Sequence, residues 1–402
     1  MKPRILILMH YMELGGAERA LIGLLEAFDV SKVSVDLFVY RHTGAFMSFI
    51  PNKVNLLPEN PVYAVVESPM KEVLLRKKWG IFWGRLIGKL RYSWYLYKKK
   101  IQNEGSASHY AFDGMISFLP SLRYLGHYNL AISFLDPPHV VQDKVDADIK
   151  LEWVHTDFST VNMDVAKTIK RWEKNDYIVS ISSSVTEQFL KTYPTLQNKI
   201  IEIHNILSPK FVRGQASAGM ENLEIKFNGT KKEYILVSVG RICYQKNFEC
   251  IPSVCRILKD RGLKFHWYVI GPGNHDYIDK MGENMETIDC FDFLGPKNNP
   301  YPYISACDLY IQPSRYEGHS VTVREAQILY KPVVVTNYAT VQNQVKNGED
   351  GVICGMNNEE IAEAIIELLK NEKKIDHIKE YLQSHDYGNE SEVDKIYEIL
   401  GI

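Results

Sequence analysis

One pattern occurs twice along this 402-residue chain: a short apolar run, a glycine turn, and then apolar residues at helical spacing. A strand that leads through a glycine turn into a helix is typical of parallel, doubly wound sheets. The sequence therefore predicts an α/β protein with two Rossmann-like domains. The two copies are Ile5–Met9, Gly15-Gly16 and residues 17–28, and then Tyr234–Val239, Gly240 and residues 248–260.

Other short apolar runs are predicted to be strands of the same two sheets. They are residues 33–40, 114–118, 130–134, 151–155 and 177–181 in the first half, and residues 265–270, 309–312 and 332–336 in the second. A stretch with proline, glycine and serine near residues 206–232 indicates the domain boundary. We assign residues 1–206 to an N-terminal domain and residues 207–385 to a C-terminal domain, and expect a helix at about 386–402 to pack back onto the first. Since ligands of such sheets bind beyond the carboxyl ends of strands, we expect the two domains to face each other across a cleft.

Composition excludes a disordered, a collagen-like or a disulfide-scaffold chain. Hydrophobic residues make up 45% and charged residues 24% of the chain, which is typical of a folded soluble protein. The net charge of −2 gives no general basis for nucleic-acid binding, but residues 71–100 carry +9 and the remainder −11. The six cysteines all follow residue 242 without a Cys-x-x-Cys pair, so we expect reduced thiols. Neither a signal peptide nor an apolar run of 18 residues is evident, and we expect a cytoplasmic protein.

Residues 313–326 are the segment richest in features of a ligand site, and they lie between a predicted strand and a predicted helix. Gly318 and Ser320 permit a tight turn, after which the backbone amides of residues 320–323 can bind an anion at the helix N-terminus. Glu317 and Glu325 flank this turn, and two carboxylates around an anion site suit a ligand with hydroxyls on both sides of a phosphate group. The alternative is a capped helix whose first turn is stabilised by Glu325.

Two cations favour the ligand site over the capped helix. Arg241 follows the first strand of the second domain, and Lys246 lies five residues further on, at the entry to a helix. Both are expected at the same sheet edge as Glu317. A departing diphosphate needs such cations because negative charge develops on its oxygen. Each could instead be an ordinary solvated surface charge.

Four motifs together resemble family-4 glycosyltransferases, which are retaining enzymes of the GT-B fold, and in particular those that build bacterial surface polysaccharides. The resemblance extends over nearly the whole chain. The motifs are Gly15-Gly16-Ala17-Glu18-Arg19, Trp153-Val154-His155-Thr156-Asp157, Val239-Gly240-Arg241 with Lys246-Asn247, and the pair Glu317 and Glu325 with seven residues between them.

The resemblance implies a site for a nucleotide diphosphate sugar, which we expect to be UDP-linked. It assigns catalytic roles to His155 near the reacting carbon, to Arg241 and Lys246 at the diphosphate, and to Glu317 at the hydroxyls of the transferred sugar. Front-side transfer, in which the leaving phosphate helps to deprotonate the acceptor, is the mechanism that it implies. The implied donor contacts are Gly16, Arg241, Lys246, Gly271, Leu294, Gly318, His319, Ser320, Val321, Thr322 and Glu325, with Glu325 at the ribose.

Two further expectations concern the donor site. No Asp-x-Asp pair is suitably placed to hold a metal near the phosphates, so neither a metal nor another cofactor is expected. Many relatives have Gly-Phe-Gly after the first glutamate, whereas this chain has Gly318-His319-Ser320. This difference leaves the sugar preference open, and His319 either contacts the donor or points into solvent.

The basic segment, residues 71–100, is predicted to form an amphipathic helix in which Trp and Tyr accompany Lys and Arg. This composition is typical of an interfacial helix on anionic lipid. The alternative is a helix that covers the first sheet and leaves its lysines in solvent. Glycines 80, 84 and 88 indicate a kink or close packing against a neighbour. The residues assigned to the acceptor or membrane side are Glu18, Arg19, Asp157, Lys77, Lys78, Trp79, Trp83, Arg85 and Lys89.

The predicted function is transfer of a sugar from a nucleotide diphosphate donor, with retention, to a lipid-linked or membrane-associated glycan in polysaccharide assembly. Such a protein would be cytoplasmic and peripherally bound to the inner face of the plasma membrane. The alternatives are a GT-B sugar-nucleotide epimerase and a non-catalytic nucleotide-sugar-binding protein. A dehydrogenase is disfavoured because Gly15-Gly16 is not part of a Gly-x-Gly-x-x-Gly loop.

Overall fold

A computed structural model describes residues 2–13, 15–100, 105–155, 158, 162–218, 223, 233–273, 290–318 and 320–402. The chain divides into two compact units. The N-terminal unit comprises Met1–Ile206 and Asn389–Ile402, and the C-terminal unit comprises Leu207–Gly388. The predicted site residues Asp157 and His319 lie outside the described residues.

The N-terminal unit is built on a parallel sheet, in which the described residues form seven strands in the order β3-β2-β1-β4-β5-β6-β7. Its strands are β1 (Arg4–Met9), β2 (Ser34–Val39), β3 (Asn55–Leu56), β4 (Tyr128–Ser133), β5 (Ala147–Val154), β6 (Tyr177–Ser180) and β7 (Ile200–Glu202). Its helices are α1 (Gly16–Ala27), α2 (Met70–Leu75), α3 (Trp79–Lys99), α4 (Ala107–Met115), α5 (His139–Lys144), α6 (Val165–Trp172) and α7 (Ser183–Thr192), followed by the C-terminal helix Asp394–Leu400.

The C-terminal unit repeats this architecture with six parallel strands among its described residues, in the order β10-β9-β8-β11-β12-β13. Its strands are β8 (Tyr234–Val239), β9 (Phe265–Ile270), β10 (Phe291–Gly295), β11 (Leu309–Gln312), β12 (Val333–Thr336) and β13 (Val352–Cys354). Its helices are α8 (Pro209–Ala218), α9 (Ile251–Asp260), α10 (Tyr301–Ala306), α11 (Val321–Ile328), α12 (Asn358–Lys370) and α13 (Glu372–Ser384), and the helix Asp394–Leu400 of the other unit is α14.

The predicted α/β fold class with two Rossmann-like domains is confirmed. The central strands are fully buried apolar runs, as expected of parallel strands covered on both faces. In β1, the side chains from Ile5 to Met9 are at most 1% exposed. The C-terminal segment lies in the N-terminal unit, where the Tyr397 hydroxyl accepts a hydrogen bond from the backbone N–H of Asp29 at 2.7 Å.

The prediction of a strand at residues 114–118 is wrong. These residues form the end of α4 and a 3-10 turn, Ile116–Phe118. A five-residue apolar run is compatible with a buried helix as well as a strand, and periodicity cannot distinguish the two. Here glycines favour the helix, because they allow α3 to pack closely on α4. A Cβ atom on Gly114 would lie 2.0 Å from the carbonyl oxygen of Gly84, and one on Gly88 would lie 2.4 Å from that of Tyr110.

Candidate functional site

The residues singled out in the C-terminal unit meet at the carboxyl edge of its sheet. The strand order reverses between β8 and β11, which are neighbours in the sheet although two strands separate them in the chain. Ligands of open α/β sheets bind in the crevice at such a switch point. The segments 240–247 and 313–318 leave these two strands, so both begin at this crevice.

Lys246 and Glu317 form the centre of the site. The Lys246 ammonium lies 2.6 Å from Glu317 Oε1, and the two side chains are only 15% and 6% exposed. The Ser314 hydroxyl donates to the same carboxylate oxygen at 2.6 Å, and the Gln245 side-chain amide donates to Oε2 at 3.2 Å. These donors fix the carboxylate, and the aliphatic part of Lys246 passes over Gly240, where a Cβ atom would lie 3.2 Å from Cε.

Arg315 holds the two segments together, a role that its sequence context does not indicate. Its backbone N–H donates to the carbonyl of Gln245 at 2.8 Å, and its guanidinium donates to the carbonyl of Tyr244 at 2.7 Å. The guanidinium also pairs with Glu249 and lies 4.1 Å from the centre of the Tyr244 ring. The available signal was its position inside the polar segment 313–326, but its partners are about 70 residues away in sequence.

Glycines let neighbouring strand ends approach each other at this edge. Gly271, which follows β9, has a φ of +150°, and a Cβ atom there would lie 1.9 Å from the carbonyl oxygen of Gly240. The Gly271 N–H donates to the carbonyl of Gly295 at 3.0 Å, which ties the end of β10 to the same edge. Leu294, one of the implied donor contacts, is half-buried on β10. Three adjacent strands therefore present closely spaced backbone at the site.

The N-terminus of α11 differs in one respect from the predicted anion site. The Ser320 N–H is not free, because it donates to the side-chain oxygen of Gln344 at 2.9 Å, and the Gln344 amide donates back to the Ser320 carbonyl at 2.6 Å. The Thr322 hydroxyl donates to Gln312 at 3.2 Å. First-turn amides have no intrahelical acceptor, so an anion would meet those of residues 321–323.

Glu325 is more deeply placed than the sequence indicated. It is fully buried on α11, and its carboxylate accepts a hydrogen bond from the Tyr301 hydroxyl at 2.8 Å. Arg241 and Gly318, by contrast, are exposed. The structure thus brings Lys246 and Glu317 into direct contact and gives Glu325 a separate tyrosine partner on α10.

In the N-terminal unit, His155 follows β5 and is enclosed by aromatic rings. Its ring lies 4.9 Å from Phe134 and stacks at 6.4 Å on Trp153. Burial lowers its pKa to about 4, although a hydrogen bond with the Phe134 backbone opposes this shift. Among the described residues nothing bonds its buried Nε2. The ring is therefore neutral at pH 7 and has one nitrogen that can bond a ligand hydroxyl.

The lowered pKa of His155 predicts a loss of stability in acid. An unfolded histidine binds its proton near pH 6.5, whereas the folded one does so near pH 4. Between these values the unfolded chain binds more protons, so the free energy of unfolding falls as pH falls, by up to about 1.4 kcal/mol per pH unit for each such group. His139, whose pKa burial also lowers to about 4, adds to the effect.

We therefore expect His155→Gln to show a shallower loss than wild type. Urea unfolding between about pH 6.5 and pH 4.5 measures the free energy of unfolding of both proteins. As pH falls, the wild-type value should fall more steeply than that of the variant, by at most about 1.4 kcal/mol per pH unit. Parallel stability curves for the two proteins would show that His155 is not held neutral.

The first glycine turn places its residues in two different environments. Gly16, at the start of α1, is exposed, and no atom lies within 4 Å of a Cβ built there. Glu18 is buried and folds back over Gly15, where a Cβ atom would lie 2.1 Å from its carboxylate. Burial raises the pKa of Glu18, with a smaller opposing effect of a hydrogen bond from its own backbone N–H. Arg19 is half-buried on the same helix.

The basic segment does not form the single helix that was predicted, because the chain turns at Lys77, where φ is +53°, and divides it into α2 and α3. Helix α3 presents an outward face that we call the apolar ridge. The ridge lies opposite the buried residues Ile81, Gly84 and Gly88. It consists of Trp79, Trp83, Leu90, Trp94 and Tyr97, which are 54 to 84% exposed. Helix α3 therefore packs through glycines and leaves the aromatic residues of the ridge in solvent.

The predicted basic residues of this segment are arranged unequally. Lys77 and Lys89 are exposed and Lys78 is half-buried. Arg85 does not share the exposed face, because its guanidinium donates to the backbone carbonyl of Ser68 and interacts with Glu67. Burial lowers the pKa of Arg85, and the charge of Glu67 opposes this. The prediction of a membrane side therefore depends on the lysines and the apolar ridge.

The described residues contain neither a membrane-spanning helix nor a cluster of metal ligands. Within that part of the chain, no helix combines the length and hydropathy needed to cross a bilayer. Nor do three or more His, Cys, Asp or Glu side chains come together there as metal ligands.

Comparison with known proteins finds a family match in the C-terminal unit. Residues 220–385 match the family described as Glycosyl transferases group 1. A protein from the cps region of Klebsiella pneumoniae is 27% identical over 44% of this chain and 49% of its own length. The N,N'-diacetylbacillosaminyl-diphospho-undecaprenol alpha-1,3-N-acetylgalactosaminyltransferase of Campylobacter jejuni is 24% identical over 46% of this chain and 49% of its own. The chain thus spans about half the length of the curated relatives it matches.

The fold has close structural neighbours. HepE of Anabaena, in complex with UDP and glucose, superposes with a TM-score of 0.63 over 100% of both chains at 15% identity. At this identity the likeness shows the fold alone, and it confirms the predicted GT-B fold. The chain therefore has a GT-B fold, its residues 220–385 match the family Glycosyl transferases group 1, and it is similar to proteins named for capsular polysaccharide biosynthesis, such as CapM of Staphylococcus aureus.

Proposed function

We propose that this protein is a retaining glycosyltransferase that moves a sugar from a nucleotide diphosphate donor, UDP-linked, to a lipid-linked glycan in polysaccharide assembly. The observation that carries the proposal is the pair Lys246 and Glu317, held by Ser314 and Gln245 at the switch point of the C-terminal sheet. The group 1 match covers this region. The named activity of the Campylobacter jejuni relative, transfer to a diphospho-undecaprenol glycan, supports the acceptor class.

The site residues suggest a division of work. An ammonium has three donors, so Lys246 can keep Glu317 and still bond a phosphate oxygen. Together with the exposed Arg241 and the amides of residues 321–323, it would stabilise the charge that develops on the departing diphosphate. Glu317, fixed by its donors, would accept hydrogen bonds from hydroxyls of the transferred sugar. The neutral His155 would bond a hydroxyl through Nε2 without adding charge.

The proposed mechanism of transfer is front-side attack. The leaving phosphate would take the proton of the acceptor hydroxyl while the bond between the sugar carbon and the phosphate oxygen breaks and the new glycosidic bond forms. Lys246 and Arg241 would lower the barrier by stabilising the diphosphate, and no step needs a metal or another cofactor. The proposal gives Glu317 and Glu325 binding roles rather than acid and base roles.

The acceptor would be met at an anionic membrane, through the apolar ridge and its lysines. Exposed tryptophans and tyrosines beside cationic side chains are suited to the boundary between headgroups and acyl chains. Each lysine near such a surface adds about 1 kcal/mol of attraction. The protein would thus work as a peripheral protein on the cytoplasmic face of the plasma membrane.

A nucleotide-binding experiment tests the donor site. We expect UDP to raise the melting temperature of the wild-type protein more than GDP does, because a ligand that binds only the folded state stabilises it. Glu325→Gln keeps an acceptor for the Tyr301 hydroxyl but removes the charge, and it should weaken UDP binding about tenfold or more. Glu367→Gln, an exposed glutamate on α12, is the matched control.

The product distinguishes the proposal from its alternatives. Mass spectrometry of the wild-type protein with a panel of nucleotide sugars and lipid-linked acceptors should show a glycosylated lipid and free nucleoside diphosphate. An epimerised nucleotide sugar, or binding without any product, would instead identify an epimerase or a non-catalytic binding protein.

A further inference from the structure

The backbone turn that carries Lys246 is short. It is a 3-10 turn of three residues, Tyr244–Lys246, after which Asn247 takes a left-handed conformation with a φ of +55°. The Lys246 N–H donates to the Cys243 carbonyl at 3.0 Å, and the hydrogen bonds of such turns have poor geometry. The position of the Lys246 ammonium therefore depends on contacts that the turn receives from elsewhere in the fold.

The side chain of Arg315 contacts this turn on both sides of Lys246. Its guanidinium donates to the carbonyl of Tyr244 at 2.7 Å, before Lys246 in the chain, and pairs with Glu249, which follows Lys246. The same guanidinium lies 4.1 Å from the centre of the Tyr244 ring. We call the guanidinium with these partners the arginine lock. The lock fixes both ends of the segment from which the Lys246 side chain leaves.

Arg315 itself belongs to the segment that carries Glu317. It directly follows Ser314, whose hydroxyl donates to Glu317 at 2.6 Å. Its backbone N–H donates to the Gln245 carbonyl at 2.8 Å, and this contact does not need the side chain. The arginine lock thus joins the segment of the ammonium to the segment of the carboxylate, and a change of the Arg315 side chain removes only the guanidinium contacts.

The charge of Arg315 is balanced within the lock. In the pair with Glu249, the two side chains are 29% and 9% exposed. A guanidinium is a planar fork that can bond several acceptors at once, whereas an ammonium has the charge without the fork. A pocket of about 400 Å³ lies beside the pair and is lined by both residues and by Asn247. If the Arg315 side chain were shortened, a small planar cation could reach Glu249 through this pocket.

We propose that Arg315 is a positioning residue for sugar transfer, and that the arginine lock holds the Lys246 ammonium where it meets the departing diphosphate. This inference rests on the proposed function, because it takes Lys246 to act on that group. A small displacement of a group that stabilises developing charge slows the chemical step more than it weakens binding. The lock therefore acts on kcat through Lys246 and makes no contact with the substrate itself.

Steady-state kinetics with chemical rescue test the proposal. Arg315→Ala should lower kcat by about 10- to 100-fold and change KM for the donor by about threefold or less. Guanidinium chloride at millimolar concentration should restore kcat of this variant by about fivefold or more, because the free ion can bond Glu249 and the Tyr244 carbonyl. Sodium chloride at the same ionic strength should not. Arg261→Ala, which breaks an exposed pair with Glu359, is the matched control and should transfer at the wild-type rate.

A double variant tests whether Arg315 acts through Lys246. Added to Lys246→Met, Arg315→Ala should lower kcat by about threefold or less, because the group that it positions is already lost. If Arg315→Ala fails to fold, Arg315→Lys takes its place with a smaller loss in the same direction. A kcat close to wild type in the folded single variant, a loss confined to KM, or the full loss repeated in the Lys246→Met background would overturn the proposal.

Hydrogen exchange followed by mass spectrometry separates this proposal from the proposed function, since it needs no activity. Peptides that cover residues 242–250 should exchange about threefold faster or more in Arg315→Ala than in wild type, and guanidinium should reverse this. If wild type transfers no sugar from any donor, the proposed function fails, while faster exchange that guanidinium reverses still supports the lock on the turn of Lys246. Unchanged exchange in Arg315→Ala would overturn the lock whatever the activity.

Discussion

Replacing Lys246 with methionine should lower kcat for sugar transfer by about 10²- to 10³-fold, with a smaller change in KM for the donor. The side chain keeps its length over Gly240 but loses the ammonium that lies 2.6 Å from Glu317. Loss of one charge-stabilising donor at a departing group removes about 3 kcal/mol of transition-state stabilisation. Because this charge develops in the transition state, the effect is expected in kcat rather than in binding.

Controls separate this effect from a loss of folding. Lys246→Arg keeps the charge and should retain more activity than Lys246→Met. Arg261→Ala removes a cation from an exposed ion pair with Glu359, at the end of α9 that precedes the amino edge of β9, and should transfer at the wild-type rate. Each variant is first checked by its melting temperature. Near-normal kcat for a folded Lys246→Met protein would refute the assignment of Lys246 to the diphosphate.

The architecture was predictable because its signals are local. The runs at β1 and β8 are apolar on both faces, and each leads through glycine into a helix, so strand, turn and helix support one another. The segment at residues 114–118 lacked such support. Its apolar residues pack against α3 only because Gly84 and Gly88 remove the side chains that would keep the helices apart, and that complement lies about 30 residues away.

The candidate site was predictable only as a set of residue types at one sheet edge. The sequence placed Lys246 and Glu317 at neighbouring strand ends, but not in contact with each other. No motif indicated that Gln344 accepts the hydrogen bond of the Ser320 N–H, or that the Tyr301 hydroxyl donates to Glu325. Such partners come from separate elements of the fold, and their geometry depends on packing that no motif encodes.

The basic segment is a second case in which packing could not be predicted from the sequence. The sequence predicted helical structure and a mixed aromatic and basic character, but not the break between α2 and α3. A helical projection also cannot tell which face is covered. Buried glycines assign the covered face, and the three tryptophans of the apolar ridge fall on the other. Arg85, grouped with the lysines by composition, turns towards Ser68 and Glu67 instead.

The second prediction with a large expected effect concerns the apolar ridge and membrane binding. Replacing Trp83, Leu90 and Trp94 together with serine should weaken binding to vesicles that contain phosphatidylglycerol by at least about a hundredfold. Insertion of about 100 Å² of apolar surface from each tryptophan would contribute about 2 kcal/mol, and about 1.4 kcal/mol corresponds to a factor of ten. Because these side chains are 54 to 63% exposed, their loss should leave the melting temperature almost unchanged.

Co-sedimentation with vesicles of two compositions measures this effect. The wild-type protein should bind phosphatidylglycerol-containing vesicles more tightly than pure phosphatidylcholine, since the exposed Lys77 and Lys89 accompany the ridge. Tyr124→Ser, which removes an aromatic side chain that is 69% exposed in the same unit but outside α3, is the matched control and should bind as wild type does. Equal binding by the wild-type and triple-serine proteins would end the membrane assignment. UDP stabilisation, measured in parallel, should be the same in both, because the ridge belongs to the N-terminal unit and the proposed nucleotide site to the C-terminal one.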